Sequence, residues 1–125
     1  PYRRQRQMCI RDRGYNIYVT NGVNYIVAKE GDTFESLAEI FCISARNLRK
    51  FNDLKGKAQP VRGEQIYIDR KQKRWEGNAR HHIVTEGETV ASVAQSYALR
   101  EKSLRKLNRL KAGAALRTGQ TLRIR

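Results

Sequence analysis

The feature that most constrains this chain is an internal repeat. Sliding the sequence by 56 positions aligns residues 28–69 with 84–125 without a gap, and 14 of the 42 aligned positions are identical. They include Gly31/Gly87, Thr33/Thr89, Ala38/Ala94, Asn52/Asn108 and Gly63/Gly119. A unit of about 45 residues present twice is a tandem architecture, and it excludes one continuous core spanning all 125 residues.

Each copy reads strand, helix, helix, strand. The first strands are Tyr25–Lys29 and His82–Thr85, each broken by a glycine. Asp32/Thr33 and Glu88/Thr89 then offer a helix start. Asp32 with Glu35 has capping-box spacing; the second copy has Ala91 there, which predicts a weaker cap. Phe34, Leu37, Ala38 and Phe41 recur at the spacing of one helix face, matched by Val90, Val93, Ala94 and Tyr97. Glu35 and Glu39 lie off that face and are expected in solvent. Ser44 is the expected N-cap of a second helix carrying Leu48 and Phe51 inward, with Leu104 and Leu107 in the other copy. Asn52 and Asn108 are expected to end these helices in the left-handed region. Ile66-Tyr67-Ile68 and Leu122-Arg123-Ile124 alternate as closing strands. Strands so far apart in sequence pair most simply as an antiparallel sheet under two helices. The predicted class is α+β: two small βααβ domains in tandem.

Outside the repeats, Asn21-Gly22 sits between two β-rich runs, the signature of a two-residue hairpin turn. It predicts an extra strand, Asn16–Thr20, extending the first sheet. Residues 70–80 are charged and aperiodic and read as a solvated basic linker, with Trp75 docking on one repeat. The expected division is 1–13, 14–69, 70–80 and 81–125.

The chain opens with an arginine-rich stretch. Back-translated, Arg3–Arg13 (RRQRQMCIRDR) resembles an in-frame reading of the transposase-end adapter ligated to DNA for short-read sequencing. Residues 1–13 are therefore expected to be a disordered artefact, and the protein's true N-terminal partner is expected to be missing. Setting aside their five arginines and one aspartate reduces the formal charge from +14 to +10. Cys9 leaves with them, so Cys42 is expected to be a lone, buried structural thiol.

The repeats resemble the LysM family. Tyr-Ile-Val-Ala-Lys-Glu-Gly-Asp-Thr, Leu37-Ala38, Asn52-Asp53-Leu54 and Arg62-Gly63-Glu64-Gln65-Ile66-Tyr67-Ile68 carry the resemblance in the first copy. His-Ile-Val-Thr-Glu-Gly-Glu-Thr, Val93-Ala94, Asn108-Arg109-Leu110 and Thr118-Gly119-Gln120-Thr121-Leu122 carry it in the second. The pair is also similar to the C-terminal tail of glucosaminidase-type peptidoglycan hydrolases from Bacteroidetes. The resemblance implies a noncatalytic module for GlcNAc-containing glycan, peptidoglycan or GlcNAc oligomers, anchoring an upstream catalytic domain in the cell envelope. By position it implies a groove walled by Gly31, Asp32, Thr33 and Phe34 on one side and Asp53, Leu54, Lys55 and Gly56 on the other. In the second copy the walls are Gly87, Glu88, Thr89 and Val90, with Arg109, Leu110, Lys111 and Ala112.

Backbone amides beside Gly31 suit an acetamido group, Thr33 adds a hydroxyl, and Leu54 can cover an N-acetyl methyl. Each also has a plain structural use: Gly31 permits the turn, Thr33 caps, Leu54 packs. The second copy departs from the pattern at Glu88 and Val90, which assigns it a structural role or a share through avidity.

Other chemistries find little support. His81 and His82 are adjacent on a strand and point to opposite faces, and neither has a cysteine or acidic partner at ligand spacing. No nucleophile elbow, phosphate loop or zinc signature is present. Catalysis, a metal and a cofactor are therefore not expected, and no apolar run is long enough to span a membrane. The alternative is polyanion or nucleic-acid binding, because Arg70, Lys71, Lys73 and Arg74 cluster beside Trp75.

Overall fold

A computed structural model describes residues 14–125; the arginine-rich stretch 1–13 and the expectations placed on it lie outside the described residues. The chain forms two compact units, centred on residues 23–70 and 71–125. The first contains β1 (Tyr18–Thr20), β2 (Val23–Val27), α1 (Phe34–Phe41), α2 (Ala45–Phe51) and β3 (Gln65–Tyr67). The second contains β4 (His81–Ile83), α3 (Val90–Ser96), α4 (Glu101–Leu107) and β5 (Thr121–Arg123). The βααβ order therefore occurs twice, as the class α+β requires.

In the first unit the sheet order is β1-β2-β3, with β2 and β3 antiparallel and Ile26 opposite Ile66. The extra strand is shorter than expected. Its turn has positive φ at both Asn21 (54°) and Gly22 (75°), as a type I′ hairpin demands. In the second unit β4 pairs antiparallel with β5, His82 opposite Leu122. Both first strands end earlier than the sequence suggested, because Lys29 and Thr85 already begin the following turn.

Each unit has its own core. Ile26, Phe34, Leu37, Phe41, Leu48, Ile66 and Ile68 are buried together in the first. Val84, Val90, Val93, Ala94, Leu99, Leu104, Leu122 and Ile124 fill the second. The inward residues of the helices are those the periodicity selected. Tyr67 is also buried, on the opposite sheet face, 5.3 Å from the Tyr25 ring, which in turn lies 5.5 Å from Tyr18. Arg123, at the matching position, is exposed.

The caps differ from expectation by one residue. Thr33 caps α1 and Thr89 caps α3; each side chain accepts from the N3 amide, while Ser36 and Ser92 reciprocate. Both helices thus carry a complete capping box, and the second cap is not the weaker. A Ser at N3 reaches the cap amide as Glu would, which frees Glu35 for other partners. Ser44 does cap α2, accepting from Asn47 N, whereas Arg100 at the matching position makes no side-chain cap.

Asn52 and Asn108 do not adopt the left-handed conformation; the next residues do, Asp53 at φ 59° and Arg109 at φ 56°. The asparagines serve a tertiary purpose instead. Asn52 Nδ2 donates to Leu48 O (2.7 Å) and Tyr67 O (3.0 Å), and Oδ1 accepts from Tyr67 N (2.7 Å). Asn108 repeats the pattern with Leu104 O, Arg123 O and Arg123 N. Each side chain thus stitches the end of the second helix to the free edge of the closing strand.

Cys42 also departs from expectation. It is exposed, occupies the left-handed C-cap of α1 and is disulfide-bonded rather than a buried free thiol.

The segment expected as a solvated spacer packs on the second unit. Gln72 N donates to Ala98 O (2.9 Å) and Arg100 N to Gln72 O (2.8 Å), while Trp75 N donates to Ile124 O (2.7 Å). The Trp75 ring meets Tyr97 edge-on at 5.0 Å, and Lys71 is buried with Nζ donating to Gln95 Oε1. An indole and four methylenes of lysine are better covered than wet, which a count of charges does not convey.

Candidate functional site

The first wall of each expected groove is a turn closed by its own acid. In the first unit Asp32 N donates to Lys29 O (3.1 Å), and Gly31 takes φ 83° with open space around its Cα. A positive φ at the third position of such a turn selects glycine. Asp32 Oδ2 accepts from Lys29 N at 2.7 Å, and both carboxylate oxygens lie 2.8 Å from the Tyr15 hydroxyl. Burial pushes the Tyr15 hydroxyl up to about 12, helped by its bond to Asp32 and that group's charge.

The second unit builds the same turn with different side chains. Glu88 N donates to Thr85 O (3.2 Å) and Gly87 has φ 82°. Glu88 Oε1 accepts from Thr85 N (2.7 Å) and lies 2.9 Å from His82 Nε2, whose Nδ1 lies 2.8 Å from the Tyr97 hydroxyl. The Thr85 amide, then His82, hold the Glu88 carboxyl below the usual carboxylate range. Burial, then the Glu88 charge, raise Tyr97. So His82 does have an acidic partner, six residues away, which the search for metal-ligand spacing overlooked. Among the described residues no group of three or more histidine, cysteine or acidic side chains could hold a metal.

The expected wall residues differ in exposure. Gly31, Gly87, Asp53, Lys55, Gly56, Arg109, Lys111 and Ala112 are exposed. Phe34 and Val90 are core residues whose side chains lie out of reach of a surface ligand, so only their backbones belong to the wall. Leu54 and Leu110 are half-buried against their cores, each held by an amide bond to Arg49 O or Arg105 O at 2.8 Å. Thr33 and Thr89 accept as caps, which leaves their own O–H available to donate. The two far walls are not copies of one another. Positive φ falls on Gly56 (67°) in the first and on Gly113 (77°), one place later, in the second.

Sequence reasoning missed a side-chain clasp that joins the start of α1 to α2 and to the loop at Ala58 and Gln59 in the first unit. Arg49 Nη2 pairs with Glu35 Oε2 (2.8 Å) and Arg49 Nε donates to Ala58 O (2.9 Å). Gln59 Nε2 donates to Glu35 Oε1 (2.8 Å), and Gln59 Oε1 accepts from Phe34 N (2.9 Å). Gln59 and Arg49 hold the Glu35 carboxyl down at about 2. The signal was present in the repeat: arginine is identical at 49 and 105, although its partners are not.

Two clefts open in the second unit. One of about 550 Å³ is lined by Ala115, Arg117, Thr118, Gly119 and Gln120. The other, about 390 Å³, is lined by Lys73, Arg74, Ser103, Lys106 and Leu107. No described helix is long and apolar enough to cross a membrane.

Residues 26–69 and 82–125 each match the family described as the LysM domain. An autolysin of Enterococcus faecalis (strain ATCC 700802 / V583) is 29% identical over 104 residues, covering 77% of this chain and 14% of the autolysin. The chain thus spans about a seventh of that relative's length. The spore cortex-lytic enzymes SleL of Bacillus cereus and Bacillus megaterium QM B1551 are similar at TM-scores of 0.37 and 0.35, with 23% and 24% identity. They cover 82% and 88% of this chain and 22% of their own chains.

Proposed function

Because the chain belongs to the LysM family, whose domains are noncatalytic modules for GlcNAc-containing glycans, we propose that it anchors a cell-wall hydrolase to peptidoglycan. The observation that carries this reading is the duplicated turn. In both units an exposed glycine stands two residues before a threonine whose hydroxyl is left to donate, on a turn braced by an acidic side chain. Backbone polar groups next to a small apolar flank such as Leu54 suit an acetamido group. The walls comprise Gly31, Asp32 and Thr33 with Asp53, Leu54, Lys55 and Gly56, and their counterparts in the second unit. The attached catalytic partner is a glucosaminidase, and the pair acts in the cell envelope; the autolysin relative supports that context. Two sites on one chain raise avidity without any new contact.

The cleft lined by Lys73, Arg74 and Lys106 favours a second reading, sequence-independent binding of polyanions. Pull-down on purified peptidoglycan, set beside a gel shift on DNA across salt, separates the two. Wall binding that persists in moderate salt and is competed by GlcNAc oligomers supports anchoring. DNA binding that salt abolishes, with no glycan binding, overturns it.

A further inference from the structure

The two units share a fold but not a charge. Residues 71–125 hold thirteen lysines and arginines against four glutamates, a formal charge of +9. Residues 14–70 hold eight against seven acids, a formal charge of +1. Nearly all of the excess positive charge therefore belongs to the second unit. Two repeats with the same βααβ scaffold have no structural need for this difference. It bears instead on what the second unit meets, because a basic surface concentrates anions around it.

Part of that charge converges on the cleft of about 390 Å³ lined by Lys73, Arg74, Ser103, Lys106 and Leu107. Its cations come from two elements that are held in place. Lys73 and Arg74 lie between two anchored residues: Gln72, bonded through both its amide and its carbonyl, and Trp75, whose amide is bonded to Ile124 O. One residue earlier, Arg100 Nε donates to Lys71 O at 2.8 Å. The rest of the lining is α4, where Ser103, Lys106 and Leu107 share one face at three-and-four spacing. Lys73, Arg74 and Lys106 are exposed, and among the described residues none of the three is paired with an acid. Like charges gathered without a counter-ion repel one another, and a bound anion relieves that repulsion.

Three cations and a hydroxyl spread around one cleft suit the tetrahedral oxygens of a phosphate better than the planar pair of a carboxylate. A guanidinium takes two such oxygens at once, and lysines add point charges. No aromatic ring lines the cleft, and the neighbouring Trp75 is engaged edge-on with Tyr97, so no free face is offered for a nucleobase to stack on. We propose that this cleft is a second binding site, lined by other residues than the glycan walls, for the phosphates of a base-free phosphodiester polymer, a polyol-phosphate chain. The inference deepens the polyanion reading above and rests on it.

The test is calorimetry on the full chain across a salt series, with three probes of matched charge: poly(glycerol phosphate), oligo(dT) and polyglutamate. Poly(glycerol phosphate) should bind tightest. Lys73→Gln, Arg74→Gln and Lys106→Gln should each weaken it about fivefold. Each should also lower the slope of log K against log salt by about 0.7, the share of one phosphate contact on a flexible strand. Arg117→Gln removes an equal charge from an exposed site outside this cleft and should weaken binding by less than about twofold. All four side chains are exposed, so the variants should melt with the parent. If Arg117→Gln weakens binding as much as Lys106→Gln, net charge alone does the pulling; the polyanion reading then stands and the cleft assignment falls. Tighter binding of oligo(dT) or polyglutamate, lost in the same variants, overturns the choice of a base-free phosphate polymer. Displacement of the polymer by a GlcNAc tetramer overturns the separation from the glycan walls. If none of the three probes binds even at low salt, the polyanion reading and this inference fall together.

Discussion

Replacing Asn52 by alanine should cost far more than the same change at Asn108, although both make the same three bonds. The Asn52 side chain is 5% exposed, and its Oδ1 is the acceptor for the amide of Tyr67, a residue with no exposure at all. Alanine removes three hydrogen bonds and leaves the Tyr67 amide and carbonyl facing a dry gap. Buried groups left unpaired cost about 1–3 kcal/mol each, part of which local adjustment recovers, so the expected loss is about 3 kcal/mol. Asn108 is half-buried and Arg123 exposed, so water takes over the vacated bonds and about 1 kcal/mol is expected. Alanine introduces no backbone strain at either site, since both asparagines have negative φ. Urea unfolding followed by far-UV circular dichroism measures both losses, and Trp75, packed on the second unit, reports that unit separately. If Asn52→Ala costs no more than Asn108→Ala, burial is not what sets the worth of this bridge.

Three further outcomes are expected. Thr33→Ala and Thr89→Ala should each lower stability by about 1 kcal/mol in the same assay, with Thr89 no less costly despite Ala91, because both caps are complete. Glu35 has a folded pKa of about 2 against an ordinary 4.5, so its contribution is fully present above 4.5 and fades as pH falls through 2. The stability gap between wild type and Glu35→Gln should therefore close over that window and shrink with added salt; a gap constant in pH contradicts it. Arg109 occupies the left-handed region at φ 56°, so Arg109→Gly should leave melting unchanged or raise stability by about 1 kcal/mol, where a loss of 1 kcal/mol refutes the strain argument.

Much of this protein was legible from the amino-acid order because its signals are local or periodic. The gapless offset of 56 showed two units, and the spacing of Phe34, Leu37 and Phe41 chose the buried face of α1. Asn21-Gly22 marked the hairpin, since a type I′ turn needs two residues that tolerate positive φ. The cap was misplaced by one residue, because Asp32 and Thr33 are both good cap residues and only the turn from Lys29 decides between them. With that turn formed, the Asp32 carboxylate is spent on the Lys29 amide, and Thr33 is left to cap.

What the sequence could not decide were the contacts that join residues distant along the chain. Asn52 read as a helix stop, yet its use depends on where Tyr67, fifteen residues on, places its amide. Docking of Trp75 was expected, but the burial of Lys71 in the same charged stretch depends on Gln95 lying beside its Nζ. Glu35 is exposed, as its place off the apolar face implied, but only folding brings Arg49 and Gln59 to its two oxygens. Arg105 looked like a copy of Arg49, and only the folded second unit leaves its Nε buried without an acceptor. Local backbone preference is written residue by residue and can be read off the chain. Whether a polar group is paired or orphaned depends on which distant atoms packing brings within 3 Å of it, and tertiary structure alone decides that.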